Sequence, residues 1–238
     1  MTQLRFVVVI LSSCWLLPAL AELPESTATP FEKGDIFVAA TLMDDPEDDH
    51  AGTGRLLQYD ENLQLKGALY VEGTRHKIGG LAFEPDGTLW GFAQLTPAIF
   101  QFTPDAVQVP FRKWSDRSFS SVTFAPDGTL FFGEHMAGTS DRAGGRLTTT
   151  FRKLPGRDVI GDGWIFQYSR EGEELAHFET DYHPMPPFLA ITSTVLTDQG
   201  KRMIYVSENG NRVMQFDLQQ NQQLPDLAVF QADSGIPM

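Results

Sequence analysis

Short apolar segments separated by turn residues run along the chain from residue 34 onward, and their spacing predicts β-strands. The segment Gly80–Trp90 (GLAFEPDGTLW) returns 41 residues later as Ser121–Phe131 (SVTFAPDGTLF), and Thr194–Gly200 (TVLTDQG) followed by Ile204–Val206 is a looser third copy. Each copy predicts a strand, a tight turn and a second strand. Proline presets φ in such a turn, aspartate bonds to its own backbone and glycine accepts a positive φ.

A second signature, aliphatic, bulky apolar, glutamine, aromatic, occurs four times: once before the first of these pairs and once after each of them. A further short apolar strand closes each unit. Four short strands in every 40 to 50 residues, with no helical period, are typical of a β-propeller blade. The fold class is therefore all-β, a propeller of about four recognisable four-stranded blades. The signature glutamines are Gln58, Gln101, Gln167 and Gln215, and the predicted blades cover residues 34–73, 74–115, 116–182 and 183–238.

Two units depart from this pattern. The third is longer than the others, and its excess predicts an insertion at residues 136–163, which we interpret as a cover over one face or as a variable decoration. The first has no sequence for an innermost strand, because residues 22–33 are polar and contain proline, which predicts a linker. The propeller domain then spans residues 34–238. Its open blade ends leave room for oligomerisation.

The N-terminus has the features of an export signal. Arg5 precedes the apolar stretch Phe6–Leu17, and Ala19–Ala21 offers small residues for cleavage after Ala21. Residues 1–21 are therefore predicted to be a cleaved signal peptide, with a lipid anchor on Cys14 as the alternative. Cys14 is the only cysteine, so the mature chain has no disulfide, and we expect a periplasmic or secreted protein.

Charge and hydropathy exclude several classes of partner. The formal net charge is -13, which disfavours nucleic acid and anionic membrane surfaces because both select basic patches. No apolar run after residue 21 approaches the roughly 18 residues of a membrane-spanning helix. The remaining partners are a small molecule or another protein.

The segment Ile204–Val213 (IYVSENGNRV) resembles the NHL-repeat pattern, and the Pro-Asp-Gly turns resemble those of the senescence-marker-protein/gluconolactonase family. Both are six-bladed propellers, so this chain resembles a shortened member of that superfamily. The resemblance implies a divalent cation such as Ca²⁺ on the propeller axis and hydrolysis of lactone-like esters. The chain contains neither the Gly-Glu-Gly-Pro segment nor the Ser-Asn-Gly strand that supply metal ligands in the gluconolactonase-like enzymes.

In a propeller, the loops from the second to the third strand of each blade share one face with the loops between blades. We call it the tunnel face. Glu134 and Glu208 hold matching positions there, at the end of the second strand, beside His135 and Asn209. We therefore take these four residues as ligand-binding candidates, and Glu134, Glu208 and Asn209 as candidate ligands of Ca²⁺ or another divalent cation. Alternatively, such carboxylates cap loops or pair with arginines.

Two further features of this face carry weaker hypotheses. The run Asp44–His50 (DDPEDDH) crowds carboxylates together, so Asp44, Asp45 and Asp48 form a second candidate metal site, with a solvated acidic loop as the alternative. His76 in an inter-blade loop is a further ligand-binding candidate, although loop histidines usually face solvent.

Three interpretations of function follow. The first is an exported module that binds a ligand or partner without catalysis. The second is a calcium-dependent hydrolase of lactone-like esters. The third is a non-functional fragment of such an enzyme. The absence of the family's metal-ligand segments favours the first and third.

Overall fold

A computed structural model of the chain describes residues 23–74, 78–93, 99–110, 112, 114–115, 117–134, 163–180, 191–207 and 212–230, with the backbone alone for residues 48–51. These residues form antiparallel β-sheets that follow one another along the sequence. Apart from strands and turns they contain one short 3-10 turn, Asp198–Gly200. The prediction of an all-β, propeller-type fold is confirmed.

Each sheet is a simple meander in which sequential strands pair. Blade 1 contains β1 (Ile36–Asp45), β2 (Asp48–Tyr59) and β3 (Leu65–Tyr70); blade 2 contains β4 (Ile78–Phe83), β5 (Leu89–Ala93) and β6 (Ile99–Phe102); blade 3 contains β7 (Phe119–Phe124), β8 (Leu130–Glu134), β9 (Ile165–Tyr168) and β10 (Glu174–Phe178); blade 4 contains β11 (Ile191–Thr197), β12 (Arg202–Ser207), β13 (Arg212–Asp217) and β14 (Gln222–Val229).

The repeated turns have the predicted chemistry. Gly87 and Gly128 adopt φ values of 90° and 88° at the end of the two Pro-Asp-Gly turns. The carboxylates of Asp86 and Asp127 accept hydrogen bonds from the backbone N–H groups two residues later, at 2.9 and 3.0 Å. These bonds close the turns that join the first and second strands of blades 2 and 3.

Two sheets have three strands, which was predicted for blade 1 and is one fewer than predicted for blade 2. In blade 2, the predicted closing strand at residues 107–111 is reduced to a single bridge between Phe102 and Gln108. Pro110 has no N–H to donate, so the pairing does not extend along this segment. In blade 1, the described residues add no strand inside β1.

The acidic segment of blade 1 also differs from the open loop that was predicted. Strands β1 and β2 continue to Asp45 and Asp48, which pair with each other, so Pro46 and Glu47 alone form the turn. Proline fits the second position of such a tight turn because its ring fixes φ. The acidic residues therefore lie on a hairpin.

Residues 26–31, which belong to the predicted linker, lie against blades 1 and 2. The N–H of Thr27 donates to the carbonyl of Ala68 on the edge of β3 at 2.8 Å, and the N–H of Phe31 donates to the carbonyl of Pro104 in blade 2 at 2.7 Å. The ring of Phe31 contacts Phe37 of blade 1 edge-to-face, at 4.7 Å between centroids. We call residues 26–35 the N-terminal strap.

The core lies between blades, in three apolar layers. The layer between blades 2 and 3 is strongly aromatic, whereas those on either side contain more aliphatic side chains, with methionine between blades 3 and 4. The aromatic layer includes Trp90, Phe92, Phe119, Phe132, Phe166 and Tyr168; the layer between blades 1 and 2 includes Leu56, Leu69, Ile78 and Leu89; the layer between blades 3 and 4 includes Ile165, Ile191, Met203 and Met214.

The inner strands approach one another closely around the axis. A Cβ on Gly80 would overlap the carbonyl oxygen of Ser120 on β7, and Gly80 also has a φ of 59°. Only glycine meets both conditions without strain. The described residues form no helix with the length and apolarity needed to cross a membrane.

Candidate binding face

The three inner strands β4, β7 and β11 enclose a small cavity of about 190 Å³. Its walls are residues 80–82, 120–122 and 192–194, with Phe92 behind them. Serine, threonine and glycine dominate these positions, so the cavity offers hydroxyl and backbone groups.

The hydroxyls also join blade 3 to blade 4. The Oγ of Ser120 donates to the carbonyl of Ile191, and the Oγ1 of Thr123 donates to the carbonyl of Thr194 at 2.8 Å. The hydroxyls of Ser121 and Thr194 lie 3.3 Å apart. Strands β7 and β11, which form two walls of the cavity, are therefore joined by side-chain hydrogen bonds.

At the tunnel face, Glu134 ends β8 and is completely buried. Its Oε1 accepts a hydrogen bond from Arg117 at 2.6 Å, within an ion pair. Its Oε2 accepts from the backbone N–H groups of Gly163 and Trp164, at 3.0 and 3.2 Å. The carboxylate thus joins the inter-blade connection before β7 to the segment that leads into β9.

Backbone and hydroxyl contacts complete this cluster. The N–H of Glu134 donates to the carbonyl of Trp164 at 3.0 Å. The Oγ1 of Thr180, after β10, donates to the carbonyl of Gly163 at 2.6 Å. The two ends of the long β8–β9 connection are therefore fixed to each other. Glu134 thus caps a loop and pairs with an arginine, while its role as a cation ligand stays a prediction.

Aromatic side chains pack beside this cluster. The guanidinium of Arg117 lies 4.7 Å from the ring centroid of Phe166, within the range of a cation–π interaction. The ring of Trp164 stacks on His177 with centroids 5.1 Å apart and an angle of 8° between the planes. Arg117 is thus held by a carboxylate on one side and a ring on another.

Among the described residues near the tunnel face, two buried polar atoms have no hydrogen-bond partner: Oγ of Ser118 and Nε1 of Trp164. Ser118 is only 2% exposed, and it follows Arg117 directly. Buried donors are normally satisfied, so these two atoms are candidates for a further hydrogen-bond partner such as a ligand or a water molecule.

The acidic hairpin is the other part of the predicted site that the structure describes. Asp44 and Asp45 are exposed, and Oδ1 of Asp45 accepts the N–H of Glu47 at 2.9 Å. Among the described side chains, no three histidine, cysteine, aspartate or glutamate residues come together as a metal site would require. Asp45 thus has the hydrogen bond of a turn residue, and the metal site with Asp44 and Asp48 stays a prediction.

Several predicted site residues lie outside the part of the chain that the structure describes. They are His76, His135, Glu208, Asn209 and the side chain of Asp48. The convergence of Glu134 with Glu208 and Asn209 stays a prediction, as does the cation.

Sequence reasoning missed Arg117, Ser118, Trp164 and Thr180, which surround Glu134. They lie in three different connections between strands, and no sequence motif links those connections. A usable signal was present in the inner strands, where FSSVTF and ITSTVLT place small hydroxyl residues between apolar ones. That pattern is typical of a strand that faces a narrow polar space.

No protein-family model matches the sequence, and no curated protein matches it. Solved structures that resemble the chain share 12% sequence identity with it. Hydrazine synthase from Kuenenia stuttgartiensis gives a TM-score of 0.46, with 72% of this chain and 42% of that chain covered.

Two further structures cover more of the chain. A protein of unknown function from Bacteroides caccae gives a TM-score of 0.49 over 85% of this chain and 66% of its own. A catalytically inactive virginiamycin B lyase from Staphylococcus aureus, in a structure with quinupristin, gives 0.45 over 84% and 62%. The chain spans less than two thirds of each of the three structures.

Proposed function

We propose that this chain is an exported β-propeller that binds a ligand or a partner on its tunnel face without transforming it. The observation that carries the proposal is the set of hydrogen bonds that the Glu134 carboxylate accepts inside the protein. Both of its carboxylate oxygens accept hydrogen bonds, one from Arg117 and the other from the N–H groups of Gly163 and Trp164. To act as a base or a cation ligand, this carboxylate would have to give up contacts that hold two connections together.

Donor groups around Glu134 support a ligand with hydrogen-bond acceptors. The unpartnered Oγ of Ser118 and Nε1 of Trp164 can each donate one bond. The rings of Trp164 and His177, stacked on each other, lie beside them. Flat rings with a few fixed polar groups are typical of small-molecule sites, so the expected ligand is a small molecule that carries several oxygen acceptors.

The proposed location is the periplasm or the outside of the cell. It rests on the N-terminal sequence, where Arg5, the apolar stretch Phe6–Leu17 and Ala19–Ala21 form the pattern of a cleaved signal peptide. N-terminal sequencing of the protein recovered from an exporting host would identify the mature start, which we expect at Glu22.

The second candidate function is the calcium-dependent hydrolysis of lactone-like esters. It is favoured by the position of Glu134 at the end of β8, the sequence place that Glu208 also holds in the fourth repeat. In that function Glu134 would leave Arg117 and turn to a cation shared with Glu208 and Asn209.

Calorimetry and a hydrolysis assay separate the two functions. For the binding module, we expect the mature protein to melt at the same temperature in calcium and in chelator, and to leave a panel of sugar lactones intact. For the hydrolase, calcium would raise the melting temperature by mass action, and Glu134→Gln would abolish turnover. Calcium-dependent hydrolysis that Glu134→Gln removes would overturn the binding proposal.

Ligand binding is measured with the same panel, extended to the parent sugars and sugar acids. We expect at least one compound to raise the melting temperature of the wild type, and Trp164→Phe or Ser118→Ala to reduce that rise. The matched control is Trp114→Phe, which alters an indole of the same apolar layer that instead contacts Arg112. A rise that Trp114→Phe alone removes would place the ligand elsewhere.

A further inference from the structure

The four blades share one register, which identifies the position of every strand. In blades 2, 3 and 4 the signature glutamine on the third strand pairs with a residue of the second strand. In blade 1 the equivalent glutamine, Gln58, pairs with Phe37 on β1. The pairs are Phe37 with Gln58, Trp90 with Gln101, Phe131 with Gln167, and Ile204 with Gln215. Strand β1 is therefore equivalent to β5, β8 and β12.

Those three second strands each pair with an inner strand as well as with a third strand. Strand β1 pairs with β2, and no other described residue forms a strand on its opposite edge. The outer edges of these two blades are covered, since Thr27 binds the edge of β3 and Gln108 bridges to β6. Among the second strands of the four blades, β1 is thus the one that no described inner strand pairs with.

The uncovered edge is long and apolar. Strand β1 has ten residues, and the eight from Ile36 to Met43 carry no charge. Ile36, Val38 and Met43 are 40%, 44% and 45% exposed. Proteins usually protect an edge strand with lysine, proline or an early bulge. In β1 the register irregularity and the acidic residues come only at its end, after Met43.

The three complete pairs show which kind of chain fits such an edge. The inner strands are IGGLAF, FSSVTF and ITSTVLT, and all three run antiparallel to their second strands. None of them carries a charged residue, and each places glycine, serine or threonine near the axis. A strand paired with β1 would give blade 1 the inner strand that the other three blades have.

We propose that β1 is a docking edge for an extended, uncharged peptide segment of another protein, which adds to blade 1 as an antiparallel inner strand. Backbone hydrogen bonds to β1 supply affinity in this mode of recognition, and side chains of alternate residues supply selectivity. The segment would carry small or hydroxyl residues toward the axis and aliphatic residues against Ile36 and Val38. This edge is separate from the cluster around Glu134, so it does not depend on the proposed function of the tunnel face.

The test uses the full mature chain and a labelled synthetic peptide with the sequence ITSTVLT, capped at both ends. Fluorescence anisotropy should show saturable binding. A peptide of the same sequence with N-methyl groups on alternate residues cannot donate to β1 and should not bind. Val38→Lys places a charge on the exposed side of β1 and should weaken binding at least tenfold.

Val195→Lys is the matched control, because Val195 is 52% exposed on β11, which already has its strand partner. It should bind the peptide like the wild type. Leu42→Lys repeats the test at another exposed position of β1, 36% exposed, in case Val38→Lys alters the fold as judged by circular dichroism.

Three results would overturn the proposal. The peptide fails to bind the full chain, the two lysine variants on β1 bind it as tightly as the wild type, or the wild type sediments as a dimer that excludes the peptide. The last would mean that a second copy of this chain occupies the edge.

Discussion

Glu134 has no exposed surface, so its charge is balanced entirely inside the protein. The ion pair with Arg117 and the two N–H groups of the β9 connection provide that balance. Removing one member of a buried pair leaves the other charge without compensation, which costs more than the pair itself contributes.

We therefore expect Glu134→Gln to lower the free energy of unfolding by about 3 kcal/mol, at the lower end of the range for buried pairs because the Arg117 side chain is 32% exposed. Urea unfolding followed by circular dichroism measures it. The control is Glu72→Gln at an exposed position, where the change should stay within about 0.5 kcal/mol. Equal stability of both variants would show that Glu134 is not a structural residue.

Leu63 lies in the turn between β2 and β3 with a φ of 62° and is 67% exposed. Leucine has no favourable contact to gain there, and its Cβ is strained in the left-handed region. The turn itself is held by the carboxylate of Asp60, which accepts the N–H groups of Asn62 and Gln64 at 2.9 and 2.8 Å.

Leu63→Gly should therefore raise the free energy of unfolding by about 1 kcal/mol, since glycine relieves the strain and the turn keeps its hydrogen bonds. Leu65→Gly is the matched control in β3, where the same change should lower stability by a similar amount because glycine weakens a strand. Thermal unfolding of both variants tests the opposite signs, and a loss of stability in Leu63→Gly would refute the argument.

The sequence allowed the position of Glu134 at a strand end to be predicted, because the repeat aligns it with Glu208. Its partner could not be predicted in the same way. Arg117 is 17 residues earlier in a connection without periodicity, and only the packing of blade 3 brings the two together. The position of a residue within a repeat can be predicted from the sequence, whereas a contact between residues of two separate connections cannot.

At the scale of elements, the N-terminal strap depends on Asp35. Its carboxylate accepts hydrogen bonds from Lys66 at 2.8 Å, from the amide of Gln58 at 2.6 Å and from the N–H of Glu32 at 2.9 Å. Burial of Asp35 acts to raise its pKa, but these hydrogen bonds, with that of Lys66 foremost, outweigh it and the pKa is lowered. The fold therefore favours the ionised form of Asp35.

A lowered folded-state pKa stabilises the protein above the unfolded-state value of about 3.9, and the contribution disappears as the pH falls through the folded-state pKa. We expect Asp35→Asn to be less stable than the wild type at pH 7 and the difference to shrink below about pH 4. Urea unfolding at a series of pH values measures it. A difference that is independent of pH would mean that the carboxylate charge is not what holds the strap.

Strands and Pro-Asp-Gly turns were predictable because local sequence determines them. The strap was not, since residues 26–31 have no alternation and bind through scattered contacts to Gln58, Ala68, Tyr70 and Pro104. The missing closing strand of blade 2 had a local sign in Pro110, which the apolar pattern of residues 107–111 obscured.

At the scale of the whole molecule, apolar side chains remain exposed at both ends of the row of blades. Ile36 and Val38 of blade 1 are 40% and 44% exposed, and Val195 and Val229 of blade 4 are 52% and 54% exposed. Side chains at the internal blade interfaces are buried instead. Association through these ends stays a prediction, which sedimentation of the mature chain over a range of concentrations would test.

The aromatic layer between blades 2 and 3 determines what an optical experiment on this protein reports. The sequence has four tryptophans; Trp15 lies in the predicted signal peptide, and Trp90, Trp114 and Trp164 all belong to this one layer. Tryptophan fluorescence of the mature protein therefore reports on the layer between blades 2 and 3 and not on blades 1 and 4. Because blades 1 and 4 each have an apolar layer on one side only, the two ends should loosen first. Circular dichroism should then change at lower urea than fluorescence does, and a tryptophan introduced as Phe216→Trp, between blades 3 and 4, should follow the earlier transition. Coincident curves from all three signals would mean that the blades unfold as one unit.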